Sequence, residues 1–250
     1  MENKGILIGV AIGGKYEHQA DVMSKSFLEH NEGWDVKIFK GNEIDKIIPS
    51  KFRNDKPFNK SEIGRWCAIK KALEEGHENA LYCDNDIFFY GHYDTHDHDF
   101  VLFPHYLSNK ARQLTSHRII FDGAPNLGMF EANGKGGIEI CDIVINEVTS
   151  NPQVFYHKTM SNIIWTQSIA SYLPYIGYDV AYDCNPAHNM SWWSLEYEDR
   201  KLEKVSNGIQ VLFEGKHHEL ISFHFSGMNL LDNYGDEVKK LKEDYLKLLR

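Results

Sequence analysis

The chain has 250 residues, 42% hydrophobic and 25% charged, enough to bury a full core without disulfide or metal staples, and ordinary values that exclude disordered, coiled-coil and collagen-like chains. Its 27 basic and 36 acidic residues leave a net charge of −9, which argues against a general nucleic-acid binder, since phosphate neutralisation needs a basic face. No apolar run approaches the ~20 residues of a membrane span, and Met1-Glu2-Asn3-Lys4 leads straight into a strand-like segment, so neither a signal peptide nor a transmembrane anchor is expected. Cys67, Cys83, Cys141 and Cys184 are scattered without a C-x-x-C pair, which suits core thiols in a reducing compartment and predicts a cytoplasmic protein.

Ile6 to Ile12 is a continuous apolar run, as a strand buried on both faces requires, and Gly13-Gly14 closes it. Ala20, Met23 and Phe27 follow at helical spacing, and Asp35 to Phe39 reads as a second strand, giving a β-α-β opening. Ser61 is the predicted N-cap of a helix carrying Ile63, Trp66, Cys67, Ile69 and Leu73, with Gly76 as its stop. Ala80 to Cys83 then enters a strand that ends at Asp84, and Phe100 to Phe103 is another short strand. Gly134-Lys135-Gly136-Gly137 lacks the spacing of a phosphate-binding loop and reads as a turn before a helix with Ile138, Cys141, Ile145 and Val148 on one stripe. A helix is predicted from Ser161 to Tyr172, strands over Tyr178 to Tyr182 and Leu220 to Phe225, and a terminal helix over Asp236 to Arg250 with Val238, Leu241, Tyr245 and Leu248 inward. No linker or repeat divides the chain. The pattern predicts one α/β domain with a mixed, mainly parallel sheet flanked by helices, its first half running to about residue 105 and its second from about 106 to 235.

The sharpest chemical feature is Asp84-Asn85-Asp86. Strand alternation predicts that the two carboxylates share a side, at the strand end where open α/β sheets bind ligands. Two such carboxylates repel unless a divalent cation such as Mn²⁺ or Mg²⁺ lies between them. His224, between Phe223 and Phe225, alternates away from those aromatics and could face the same site. His92, His96 and His98 stand in a charged tract and read as structural or solvated, His217-His218 as surface, and Trp192-Trp193 as core aromatics.

Taken in order, these motifs resemble the metal-dependent nucleotide-sugar glycosyltransferases of the GT-A fold, in the branch around bacterial lipopolysaccharide glucosyl- and galactosyltransferases and glycogenin-like enzymes. The resemblance runs from about residue 6 to 230. It implies that the strand and loop from Ala11 through Gly13 to Tyr16 hold the nucleotide base and ribose, that Arg65 contacts the donor, and that Asp84 and Asp86 are the metal-binding D-x-D with Asn85 beside the donor. Leu102 to Tyr106 resembles the family's "PH" strand, Asn126-Leu127-Gly128 the segment lining the sugar pocket, and Asn185 to Arg200 its N-x-A-x-W-N-L-x-x-R stretch. Gln167 stands where relatives carry an Asp-Gln pair, and His224-Phe225-Ser226-Gly227 resembles the motif in which histidine is the third metal ligand, with Gly227 next to the donor. The sequence departs from the pattern at Thr166, where the acid of the pair is missing, and at Met228-Asn229, where no Lys-Pro-Trp follows to hold a diphosphate.

The resemblance implies a transferase that moves a sugar from a nucleotide diphosphate donor, expected to be a UDP-sugar, to a saccharide or glycolipid acceptor in surface polysaccharide or lipopolysaccharide synthesis. Retention of configuration, the habit of this branch, needs no base and puts Gln167 near the sugar; inversion needs a carboxylate, for which Asp122 and Asp183 are the candidates. Peripheral attachment at the inner membrane face would need a partner or a basic patch, such as the lysines of the terminal helix. Two alternatives stand beside this reading. A haloacid-dehalogenase-type phosphohydrolase would use the D-x-D as nucleophile and acid/base, with Asp179 and Asp183 as its later acidic pair. It wants the motif near the first strand and a small hydroxyl residue where Phe88 stands. The other alternative is a non-catalytic saccharide-binding protein on the same fold.

Overall fold

The β-α-β opening forms as its sequence predicts. β1 (Gly5–Ala11) is buried at every residue, α1 (Gly14–His30) packs Ala20, Met23 and Phe27 inward, and β2 (Trp34–Lys40) returns parallel to β1. A computed structural model describes residues 5–104, 125–156, 163–170, 172–195, 200–205 and 208–250. After the short α2 (Asn42–Ile47) comes α3 (Pro57–Glu74). It starts at Pro57 and not at Ser61, because proline lacks the N–H that a first turn leaves orphaned and its fixed φ suits the first helical position. Its inner face is among the best buried in the chain. Trp66 stacks on Phe130 at 4.9 Å and on Phe100 at 5.7 Å, and each such ring contributes roughly 1.5–3 kcal/mol through burial.

β3 (Asn79–Cys83) lies parallel to β1, and the chain continues through β4 (Ile87–Phe89), β5 (Phe100–Pro104), β6 (Pro125–Asn133), α4 (Gly134–Ser150), α5 (Gln167–Ala170) and β7 (Val180–Tyr182). The main sheet has the order β2-β1-β3-β6-β5-β7, in which only β6 runs against its neighbours. This is the mixed, mainly parallel sheet flanked by helices. α3 and α4 cover one face, over Trp66, Phe130 and Val144; α1 covers the other, where Phe27 meets Leu7 and Phe89. Beyond α6 (Trp192–Leu195) come the meander β8 (Lys201–Val205), β9 (Gly208–Phe213) and β10 (Lys216–Glu219), then β11 (Ser222–His224), which pairs with β4. α7 (Asp236–Leu248) closes a third core, where Tyr245 stacks on Phe225 at 4.2 Å.

Four expectations change. Within the predicted helix 161–172 the described residues are helical only at α5. The Ile164 and Thr166 N–H groups donate to Asn59 Oδ1 (2.8 Å) and Glu62 Oε2 (3.0 Å) on α3, so α3 side chains take the bonds a longer helix would need. Gly134 to Gly137 form the first turn of α4 itself, not a turn before it. Leu248 is 50% exposed, because α7 has run past the core that holds Val238, Leu241 and Tyr245. β6 and the meander β8–β10 were not anticipated. The second hairpin did carry a signal at Glu214-Gly215, a two-residue loop with φ of 49° and 72°, the geometry of a tight β-hairpin.

Candidate active site

β3 ends at Cys83, and Asp84 to Asp86 make a turn in which the Ile87 N–H returns to the Asp84 carbonyl at 3.2 Å. The two carboxylates therefore converge through a turn and not through strand alternation. β4 leaves the turn directly, and its partner β11 places His224 opposite Ile87. The Phe225 N–H donates to the Asp86 carbonyl (2.8 Å), which fixes that register beside the acids. Alternation on β11 sends Phe223 and Phe225 into the core and His224 toward the acids, as expected. Its Nε2 lies 3.0 Å from Asp86 Oδ1 and 3.9 Å from Asp84 Oδ2, and one ligand atom from each of the three residues falls within 4.8 Å of the others.

The floor comes from β6. Between Leu102 and Phe103 of β5 the register jumps from Phe130 to Asn126, so Leu127, Gly128 and Met129 bulge out of the ladder with β5, while Met129 stays paired with Cys83 of β3. On the β3 side Gly128 O accepts the Asp84 N–H at 2.6 Å, one step beyond the Cys83–Met129 pair, and Leu127 O accepts Arg65 Nη1 at 2.6 Å. A Cβ on Gly128 would stand 2.5 Å from His224 Cε1 and 3.0 Å from Asp84 Oδ2, so glycine is what lets strand, acid and imidazole meet. Asn126 is buried, accepts the Gly128 N–H through Oδ1 (2.8 Å) and lies against His224 Nδ1.

Burial opposes charge on both members of the Asp86–His224 pair, but each outweighs that penalty for the other: the Asp86 carboxyl is held below its ordinary range and the His224 imidazole above its own. Two carboxylates and one imidazole, only the imidazole fully buried, around a glycine cradle make a donor set that suits a divalent cation with further positions open.

Arg65 stands next to this group. Its guanidinium pairs with Glu62, one turn earlier on α3, lies 5.1 Å over the Tyr82 ring and comes within 3.9 Å of Asp84 Oδ1. Burial disfavours its charge, yet Glu62, Tyr82 and Asp84 more than compensate and hold the cation firmly protonated. Glu62 is in turn held by the Thr166 hydroxyl (2.9 Å), and that hydroxyl accepts Trp66 Nε1 (3.0 Å). Tyr82 donates to Asp84 Oδ1 at 2.9 Å. Glu62 and Tyr82 escaped the sequence reading, although both signals were there: Glu62 precedes Arg65 by one helical turn, and Tyr82 precedes Asp84 by the strand period.

A cavity of about 410 Å³ opens over these groups, lined by Val10, Ile12, Tyr16, Phe58, Arg65 and the Asp84–Asp86 turn among others. Tyr16, Arg65, Asn85, Asp84 and Asp86 thus come together around one cavity. Asn85 spends its amide on the Val10 carbonyl (2.9 Å), tying the turn to β1. Ala11 is buried in β1 between two lining residues, and Gly13, at φ 97°, is the N-cap of α1, three residues before Tyr16. Gly227 takes φ 64° against Trp192, past His224. Two expected catalytic residues do not line the cavity: Gln167 is buried in α5 behind α3, and Asp183 is engaged by His96 and His188, whose hydrogen bonds outweigh burial and hold its carboxyl well below the carboxylate range. A carboxylate so acidic is a poor general base. Asp122 lies outside the described residues, as do His105 and Tyr106.

No family model matches the sequence, and no curated protein matches it. Among solved structures the chain is similar to a glycosyltransferase involved in the glycosylation of the major capsid of PBCV-1, at 12% identity, with a TM-score of 0.54 over 97% of this chain and 99% of that one. The fold is a glycosyltransferase fold. The likeness does not favour the phosphohydrolase alternative, whose motif belongs on the first strand, whereas here the aspartates follow β3. No helix among the described residues is long and apolar enough to cross a membrane, and the α7 lysines pair with Asp232, Asp236 and Asp244.

Proposed function

We propose that the chain is a metal-dependent glycosyltransferase that moves a sugar from a nucleotide diphosphate donor, a UDP-sugar, to a saccharide acceptor, in the manner of the surface-polysaccharide and lipopolysaccharide enzymes its motifs resemble. The observation that carries this reading is the convergence of Asp84, Asp86 and His224 beside the cavity that Arg65 and Tyr16 line. A glycosylating enzyme of the same fold supports it.

In this reading Asp84, Asp86 and His224 hold Mn²⁺ or Mg²⁺, which when bound would neutralise the charge that grows on a diphosphate leaving group. The protein's own residues do the rest. Arg65, locked in its charged state, adds a positive field beside the diphosphate, and Glu62 and Leu127 fix its direction. The exposed ring of Tyr16, which lines the cavity with Phe58, offers a face for the base. Among the described lining residues the carboxylates are Asp84 and Asp86, both committed to the metal. That favours retention over an inverting route that needs a third acid as base.

The test is thermal stability with UDP, GDP, CDP and ADP, each with and without Mn²⁺, on the native chain and on Asp86→Ala. A ligand that binds only the folded state raises the melting point by mass action. The expected result is a shift that one nucleotide gives only with Mn²⁺ and that Asp86→Ala abolishes. An unchanged UDP response in that variant refutes the metal role. Turnover of a generic phosphate ester, with no nucleotide shift, would return the phosphohydrolase.

A further inference from the structure

A second cluster of metal-ligating side chains lies apart from the Asp84 group and shares no residue with it. His96 comes from the loop between β4 and β5, Asp183 directly follows β7, and His188 sits in the segment leading to α6. Ligand atoms of the three fall within 4.8 Å of one another. His96 Nε2 is 3.3 Å from Asp183 Oδ2, and His188 Nδ1 is in close contact with the same oxygen. Two ligands held at tetrahedral zinc distances of 2.0–2.1 Å stand roughly 3.3 Å apart, so the His96–Asp183 spacing already matches one edge of such a site.

The surroundings are built and not incidental. His96 Nδ1 lies 2.9 Å from Glu131 Oε2, and that carboxylate is wholly buried in β6, where it also takes the Tyr93 hydroxyl, the His96 N–H and Asn133 Nδ2. A buried carboxylate behind an imidazole, with the other ring nitrogen aimed at the ligand position, is the arrangement that fixes the tautomer of metal-bound histidines. Asp183 is equally fixed: its N–H donates to Leu102 (2.9 Å), continuing the β5–β7 pairing, and Oδ1 accepts the Asn185 N–H (2.9 Å). Side-chain exposures of 24% for His96, 7% for Asp183 and 22% for His188 leave solvent a way in.

We propose that His96, Asp183 and His188 form a second divalent-cation site of the zinc class, with Glu131 as the positioning residue of His96, which clamps the β4–β5 loop to the segment after β7. Two imidazoles and one carboxylate suit Zn²⁺ better than the oxygen-seeking Mg²⁺, which separates this site from the Asp84 site in preference as well as place. The proposal does not rest on the transferase reading, and neither does its test.

The full chain carrying Asp84→Ala and Asp86→Ala, which disarm the first site, is stripped with chelator and titrated with Zn²⁺ alone, following heat and melting temperature. The expected result is one equivalent of bound zinc and a raised melting point. Adding His188→Ala should weaken binding by at least about 10-fold, since even second-shell partners contribute that much. Adding His188→Gln, which keeps more of the side chain's bulk, should do the same if the alanine variant folds poorly. Co²⁺ should bind with the visible absorption of a tetrahedral ion, lost in both variants. Zinc binding of equal strength in the His188 variants would place the ion on other histidines and overturn the proposal. No stoichiometric zinc in the folded double variant would also overturn it, leaving His96, Asp183 and His188 a hydrogen-bonded network only.

Discussion

Replacing Gly128 by alanine tests how closely the candidate site is packed. The new Cβ would lie 2.5 Å from His224 Cε1, 2.9 Å from Asn126 Oδ1 and 3.0 Å from Asp84 Oδ2, so the imidazole alone stands about 0.9 Å inside the 3.4 Å at which ordinary contact begins. None of the neighbours can yield easily. The His224 N–H donates to Met190 O at 2.7 Å, its carbonyl accepts Ser191 Oγ at 2.7 Å, and its ring meets Trp193 edge to face at 5.3 Å. Gly128 is equally held, through its N–H to Asn126 and its carbonyl to Asp84. An overpacked methyl group with no relief costs about 1–3 kcal/mol.

Urea denaturation should therefore show Gly128→Ala destabilised by that amount, with an unchanged dependence on denaturant. Gly14→Ala is the control: nothing lies within 4 Å of its Cβ, and it sits at the start of α1, so its stability should stay within about 0.5 kcal/mol of the native chain. The same displacement pushes His224 and Asp84 apart, so the Mn²⁺-dependent response to nucleotide should fall with stability. A Gly128→Ala protein as stable as the native one, with its nucleotide response intact, would show that the three groups do not meet at that glycine.

Three further outcomes follow from the same contacts. Thr166→Val keeps the volume but strips the hydroxyl between Trp66 Nε1 and Glu62, leaving a buried N–H unpaired; a loss of about 1–3 kcal/mol in urea is expected, with Thr166→Ser largely restoring it, and a loss under about 0.5 kcal/mol would sink the link. Arg65→Met strands the buried Glu62 carboxylate and should cost about 3–5 kcal/mol, whereas a near-neutral result would mean that Glu62 is satisfied without it. Burial pushes the Cys67 thiol up to about 12 and raises Cys83 and Cys141 also, so at pH 8 they carry almost no thiolate; a thiol reagent should label native protein quickly at exposed Cys184 alone, lose that fast phase in Cys184→Ser, and contradict the burial if Cys67 reacts as fast.

What could be read from the sequence was what one segment decides by itself. The apolar run of β1, the helical spacing of Ala20, Met23 and Phe27, and the outward alternation of His224 between two phenylalanines are all local, and each took its expected place. Where local signals compete, the reading failed. Ser61 has the chemistry of a cap, but Pro57 has the chemistry of a first turn and lies upstream. The segment around 164–166 has helical composition, yet Asn59 and Glu62 claim its N–H groups, and those residues are about 100 positions away in sequence.

The candidate site is a harder case, because its assembly depends on register. The spacing of Asp84 and Asp86 marked them as candidates; that they meet in a turn and not on a strand face was not visible. His224 reaches them because β11 pairs with β4 in one register and not the next, and a slip of one residue would bring Phe223 or Phe225 to the acids instead. Gly128 reaches them because β6 keeps its pairing with β3 up to Met129 while three of its residues slip out of the pairing with β5, and no property of Asn126-Leu127-Gly128 announces a bulge until β5 is laid alongside. The bulge is stabilised by what it serves, since its carbonyls are taken by the Asp84 N–H and by Arg65. The Asp84 and Arg65 bonds tie this stretch of β6 to the site, so a substitution that breaks either should be felt in both.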